Sequence, residues 1–247
     1  VTGLADALSA IEGVDGWLTR DQARRLYVAA SSLRAPAQIV EIGSFRGRST
    51  VVLALASEPG VDVVGIDPHA GSDRGPQEIA GFEAAAASDR AAFEANLASA
   101  GVTDRVRHVP KFSAHALADV DGAIDVLYVD GAHRYRPALD DIVRWGARVQ
   151  PDGGVLLIHD AFSAIGVTAA LLRAAVFGRR WRYAGRSGSL VEYHAQAAPM
   201  HGHDRAVNTV RQLAQLPWFI RNVAVKVALS LRLRRVARAL GSEEWPY

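Results

Sequence analysis

Two apolar rhythms alternate along the chain. Ala23, Leu26, Tyr27 and Ala30 recur at helical spacing behind Thr19 and Gln22, which have the spacing of a capping box. A helix is predicted there, running through Leu33 and ended by Ala35-Pro36. Short apolar runs then predict strands at 38–42, 61–66, 105–109, 124–129 and 154–158, and the stretches 48–57, about 88–100, 113–119, 137–149 and 165–176 read as helices. Apolar runs such as Ile124 to Val129, interrupted only by Asp125, and Val155 to Ile158 are what strands covered on both faces look like. Strands alternating with helices predict an α/β fold, a doubly wound and mostly parallel sheet with helices on both sides. Two further runs, Arg182 to Ala184 and Ser189 to Tyr193, flank Gly185, Ser187 and Gly188 and read as a terminal antiparallel hairpin, for seven strands in all.

Three stretches break this rhythm. Residues 68–87, with Gly71, Ser72, Gly75 and Pro76, read as a surface loop at the ligand-binding edge of the sheet. Residues 195–204 look like a linker between a domain at 1–194, with an N-terminal helical cap, and a basic, helical extension at 205–247. With 247 residues, 49% of them hydrophobic, the chain can bury a full core. There is no cysteine, which excludes disulfides, thiolate zinc sites and a cysteine nucleophile. Val1 to Ala10 lacks the basic flank and apolar run of a signal peptide, and no stretch reaches the roughly 18 apolar residues of a membrane span, so a cytoplasmic protein is expected. The net charge of +2 hides an asymmetry. Residues 205–247 carry eight cations and two acids, Glu243 and Glu244, which leaves the first 204 residues at −4.

The candidate chemistry collects in four loops that follow strands: Gly43 to Ser49, Asp67 to His69, Asp130 to His133, and His159-Asp160. These loops fall at one edge of the predicted sheet, where open α/β folds bind ligands. In Glu41-Ile-Gly-Ser-Phe-Arg-Gly-Arg-Ser49 the glycines let backbone approach a ligand, and the acid Asp67 after the next strand can accept hydrogen bonds from ribose hydroxyls. This is how a nucleoside-containing cofactor is held. Asp and Gly also simply end strands and cap helices. The G-x-G-x-x-G turn of dehydrogenases is absent, which places a nicotinamide oxidoreductase second.

Taken with Tyr128-Val-Asp-Gly-Ala-His133, Leu157-Ile-His-Asp160 and Gly188-Ser-Leu-Val-Glu-Tyr193, the glycine turn resembles the class I S-adenosylmethionine-dependent methyltransferases over roughly residues 15–194. The nearest branch is the bacterial small-molecule O-methyltransferases that include macrolide-sugar enzymes and, more distantly, catechol O-methyltransferase. The resemblance implies that Glu41 and Gly43 line the methionine end of the cofactor, with Ser44, Gly47 and Ser49 adding contacts. It also implies that Asp67 holds the ribose, Ser113 meets the adenine, and His69 and Asp130 border the cofactor. The metal-dependent branch places ligands where Asp130, His159 and Asp160 stand. The usual pair at the last two positions is Asp-Asp or Asp-Asn, and an imidazole suits manganese or zinc better than magnesium. Mg²⁺ or Mn²⁺ is therefore an expected partner, with the alternative that His159 orients Asp160 or belongs to the acceptor pocket. His133 stands at the offset of the catechol branch's general base, where a pKa near 6.5 suits proton abstraction, so with Asp130 it completes the catalytic pair. Its alternative role is to cap the helix near Pro137.

The expected acceptor is a small polar molecule such as a sugar or glycoside, framed by residues 68–87 and 160–165 with Phe162 as a wall and Asp73, Arg74 and Gln77 as polar contacts. The alternatives are a metal-independent methyltransferase of phenols and a non-catalytic nucleotide-binding module docking through its basic tail. In that tail, Pro217 is placed to start a helix, but Val225 to Arg234 alternates almost at strand period, and Arg221, Lys226, Arg234 and Arg235 fall on different sides of a helical wheel. Peripheral contact with the inner face of a membrane or with a partner protein stands beside packing on the core or in a homodimer. Nucleic acid is not expected, since no recognisable nucleic-acid fold or aromatic stacking platform accompanies the cations.

Overall fold

The computed structural model describes residues 1–70 and 82–242, the side chains of 82–87 excepted. The Asp73, Arg74 and Gln77 contacts and the acidic pair Glu243-Glu244 lie outside the described residues. Two N-terminal helices, α1 (Leu4–Ala10) and α2 (Arg20–Ser31), precede β1 (Ala37–Ile42), α3 (Arg48–Ala56), β2 (Val61–Ile66), α4 (Phe82–Ser99) and β3 (Val106–Val109). The second half runs β4 (Val126–Val129), α5 (Tyr135–Asp140), β5 (Val155–Ile158), α6 (Ile165–Leu171), β6 (Trp181–Ser187) and β7 (Leu190–Ala195), then α7 (Gly202–Leu213), α8 (Leu216–Ser230) and α9 (Arg234–Ala239).

All seven strands form one sheet in the order β3-β2-β1-β4-β5-β7-β6. The first five are parallel, and β7 runs antiparallel to both β5 and β6. The register places Ile39 between Val63 and Val126, so strand alternation sends each row of side chains to one face. Val40, Ile42, Val64, Leu127 and Leu156 pack under Trp145 and Phe162 on one face. Ile39, Val63, Val126 and Tyr128 pack under α1, α2, α3 and Phe93 on the other. Glu41 shares the side of Ile39 and therefore points at α3.

Helix α2 starts as its sequence predicts, with the reciprocal Thr19–Gln22 capping box formed. Elsewhere tertiary partners rewrite the predicted helices. The helix expected over 113–119 is two short 3₁₀ turns, Ser113–His115 and Leu117–Asp119, because Arg107 and Arg148 take the carbonyls of Asp119, Leu117 and Val120. The helix expected over 137–149 begins at Tyr135, widens to a π turn over Asp141–Trp145 and tightens to 3₁₀ over Gly146–Arg148. Asp141 and Trp145 of the widened turn are both tied to Ser113.

The segment 195–204 holds the last residue of β7 and the start of α7, and Met200 is buried with its N–H on the Arg179 carbonyl. Beyond it the chain stays attached to the sheet by buried amides. Asn208 accepts the Tyr183 N–H at 2.7 Å and donates to the Trp181 carbonyl at 3.0 Å, and Gln212 accepts the Tyr193 hydroxyl at 2.9 Å. Unpaired buried amides are costly, so these bonds set the register of α7 on the hairpin.

Candidate active site

The glycine turn after β1 is built by close approach. Gly43 has φ 89°, and a Cβ there would collide with the Asp130 carbonyl and lie 2.9 Å from the Gly131 Cα. Gly47, at φ 84°, is the N-cap of α3 and would place a Cβ 3.1 Å from the Phe93 ring. The Asp67 carboxylate anchors the turn by accepting the N–H groups of Ser44 at 3.0 Å, Phe45 at 2.8 Å and His69 at 2.8 Å. The His69 ring closes the same loop through Nε2 to the Phe45 carbonyl at 2.8 Å.

A cavity of about 390 Å³ opens beside this turn and is lined by Gly43, Ser44, Asp67, His69, Ser113 and Asp130 among others. That volume suits a small-molecule or cofactor site. Ser49 also reaches it, whereas Glu41 and Gly47 do not. Glu41 is fully buried beneath α3, where the hydroxyls of Ser49 and Thr50 donate to its two oxygens. Burial pushes its carboxyl up to about 7, against those two hydrogen bonds. Its place is the foundation of the turn rather than the cavity wall. Ser113 donates to Asp141 at 2.5 Å, and burial pushes that carboxyl up to about 6.

One wall was hidden from sequence reading. Asp15 to Leu18, between α1 and α2, folds over the cavity, with Trp17 5.2 Å from Phe45 centroid to centroid. Arg48 of α3 holds this segment by donating to the carbonyls of Ile11, Val14 and Leu18. A non-periodic Trp-Leu pair ahead of a capping box gave no local sign of that contact.

Next to the cavity, the ends of β4 and β5 bring together Asp130, His159 and Asp160, whose ligating atoms all lie within 4.8 Å of one another. His159 Nδ1 is 3.1 Å from Asp130 Oδ1 and 3.4 Å from Asp160 Oδ2, yet it is in hydrogen-bonding line with neither. Its Nε2 lies 3.4 Å from the Gln22 amide oxygen, and Gln22 is fully buried. The Asp130 carboxylate also accepts the Tyr128 hydroxyl at 2.8 Å, and His133 Nε2 is 2.8 Å from Asp160 Oδ2. His133 does not cap the following helix, whose cap position is Arg134.

The electrostatics follow from crowding. Burial by itself would lower the His159 pKa, but Asp130 and then Asp160 outweigh it and push the imidazole up to about 10. Asp160 moves the opposite way: burial opposes ionisation, and His159 and His133 hold the carboxyl well below its usual range. Two carboxylates facing one imidazole nitrogen demand a cation between them, either a proton or a metal. A buried nitrogen out of hydrogen-bonding line with both, in an N,O,O donor set, fits a divalent ion.

Asp160 and Phe162 both adopt left-handed backbone, φ 55° at each. Phe162 is fully buried in the core, so it forms no wall of an acceptor pocket, contrary to expectation. The tail holds this turn. Asn222 of α8, itself fully buried, donates to the Phe162 carbonyl at 3.3 Å, and Lys226 donates to the Ser163 carbonyl and hydroxyl at 3.1 and 3.0 Å. Gln22, Asn222 and Lys226 escaped sequence reading. Gln22 was legible as a cap, and no periodicity announces that a cap also faces a histidine 137 positions away.

Residues 40–161 match a family model described as a methyltransferase domain. Many solved structures share the fold, among them the following three. Cofactor-bound Rv0187 from MTB aligns with a TM-score of 0.55 at 20% identity, over 78% of this chain and 89% of that one. The O-methyltransferase TomG from Streptomyces achromogenes, involved in tomaymycin synthesis and solved with SAM, aligns at 0.51 and 20% identity, over 79% and 89%. The O-methyltransferase from Bacillus cereus in complex with SAH aligns at 0.53 and 16% identity, over 78% and 90%.

Proposed function

We propose that the chain is a class I S-adenosylmethionine-dependent methyltransferase that methylates a hydroxyl of a small polar acceptor, such as a sugar or glycoside, with help from a divalent metal. The observation that carries this reading is the Asp130–His159–Asp160 cluster beside the cavity, with Asp130 belonging to both. S-adenosylmethionine supplies an electrophilic methyl group, and a divalent ion held by Asp130, His159 and Asp160 would lower the pKa of the acceptor hydroxyl.

The chain's own residues provide the rest. Gly43 and Ser44 offer backbone to the cofactor, and the ordered Asp67 carboxylate accepts its ribose hydroxyls. His69 and Ser113 border the adenine side, while Ser49, on Glu41, stiffens the first turn of α3. In-line transfer needs the acceptor oxygen fixed opposite the sulfonium and relieved of its proton. Asp130, fixed by Tyr128, stands at the join of cavity and cluster and orients that oxygen. His133 keeps its Nε2 on Asp160, which leaves Nδ1 to accept the proton. The N,O,O donor set favours manganese over magnesium.

Calorimetry with S-adenosylmethionine and with Mn²⁺, each titrated separately, tests both halves. Saturable cofactor binding, with a Mn²⁺ signal lost in Asp160→Ala, is expected. Methyl transfer that survives EDTA would remove the metal and leave His159 as a buried imidazolium. Screening sugars against phenols with radiolabelled methyl groups then decides the acceptor class.

A further inference from the structure

Helix α8 buries Asn222 with Val225 and Ala228 on one side and leaves further apolar residues in the open on the other. Its cations face protein groups: Lys226 lies on Ser163, and Arg221 donates to the Leu240 and Gly241 carbonyls at 2.7 Å each. Some of its apolar residues, and its C-cap Leu231, face outward. Ile220, Val227 and Leu231 are 66%, 52% and 64% exposed. Spaced at i, i+7 and i+11, they form one stripe on the side opposite the buried Asn222, Val225 and Ala228. The turn after α8 and helix α9 add exposed Leu233 and Val236 among exposed Arg232, Arg234 and Arg235. From Arg205 to Ser242 there is no acidic residue. A contiguous apolar stripe bordered by cations is unusual on a surface meant only for water.

We propose that α8 and α9 form a docking surface for an anionic phospholipid bilayer. The stripe enters the boundary between headgroups and acyl chains, and Arg232, Arg234 and Arg235 meet the lipid phosphates. No described helix is long and apolar enough to cross a membrane, so these helices lie on the bilayer. Charge complementarity selects lipid over a second copy of the chain. A two-fold contact through this face would set its arginines against their own symmetry mates, with no acid among residues 205–242 to pair them. Nucleic acid would satisfy the arginines but leave Ile220, Val227 and Leu231 in water. The proposal is independent of the metal and of the acceptor.

Co-sedimentation of the full chain with vesicles of phosphatidylcholine, alone or with about 30 mol% phosphatidylserine, tests it. Partitioning onto the anionic vesicles is expected to be at least about tenfold stronger, and to fall as salt rises from about 0.1 to about 0.5 M. Val227→Asp with Leu231→Asp is expected to weaken binding at least about tenfold, and Arg234→Glu with Arg235→Glu to erase the preference for anionic lipid. Retained S-adenosylmethionine binding shows that each variant is folded. Should the aspartate pair not fold, Val227→Ser with Leu231→Gln takes its place. Equal binding to both vesicles, binding to neither, or unchanged binding in the folded variants overturns the proposal. So does a dimer in sedimentation velocity that the stripe variants dissolve, which would make the face a contact between copies.

Discussion

The two halves of the site are built in different ways. The turn beside β1 and β2 that forms one side of the cavity is built mostly from backbone: a left-handed Gly43, the N–H groups of Ser44, Phe45 and His69, and the carboxylate of Asp67 that gathers them. All of these lie within 27 residues of one another, and each strand-to-turn step is local. The cluster beside β4 and β5 is made of side chains supplied by α2, two strand ends and α8: Gln22, Asp130, His133, His159, Asp160, Asn222 and Lys226. A site made of backbone tolerates side-chain changes nearby, because its donors are present whatever the residue. A site made of buried charges depends on every partner, since each one removed leaves another uncompensated.

Variants can break this contrast, beginning with the strongest. Asp160→Ala removes a carboxylate that faces both His159 and His133, and about 3–5 kcal/mol of stability should be lost in metal-free protein. Methyl transfer should fall by at least about 100-fold. Urea denaturation and initial rates measure the two effects, and a mild outcome in both would deny the cluster its importance. The next largest effect is expected at Glu41 and concerns pH. Its carboxyl ionises near 4.5 in the unfolded chain and at about 7 in the fold, so the native state binds the extra proton between those values. Stability should therefore fall as pH rises from about 4.5 to about 7, by up to roughly 3 kcal/mol. Glu41→Gln should flatten that slope while S-adenosylmethionine still binds, a result readable from urea midpoints across the range.

Smaller effects sharpen the comparison. Asp67→Ala frees three backbone donors and should weaken S-adenosylmethionine binding by roughly 10- to 100-fold, with the Mn²⁺ titration unchanged. Gln22→Ala should do the reverse, weakening Mn²⁺ roughly 10-fold through a loosened His159 and leaving cofactor affinity near wild type. If both variants weakened both ligands alike, the two halves would not be separable. Least of all, Asn222→Ala orphans the Phe162 carbonyl and should cost about 1–3 kcal/mol by urea denaturation.

Much of the architecture was legible because strand and helix periods differ, and because buried parallel strands leave apolar runs that polar segments cannot imitate. Gly43 and Asp67 were legible for a similar reason, since a strand end forces both into one edge of the sheet. Glu41 misled. It sits in the same motif, but the two-residue strand period turns it to the side of Ile39 and under α3. Phe162 misled as well, because a left-handed turn swings it into the core, where an extended loop would have left it in the open. The tail defeated periodicity altogether. Its polar positions, Asn208, Gln212, Asn222 and Lys226, serve partners on the hairpin and on the 160–163 turn, so polarity there marks the inner face.

The amino-acid sequence by itself determined the order of strands and most helices, the edge at which the cavity opens, and which carboxylates and histidines stand at that edge. Each of those follows from a chain's local period and from where its apolar runs stop. Only the tertiary structure decided that Gln22 meets His159, that Asp15 to Leu18 folds over the cavity, and that α8 turns Arg221 and Lys226 onto protein groups and Ile220 and Val227 out. Those contacts join positions tens of residues apart or more, and their energy comes from pairing buried polar groups, which no local pattern records.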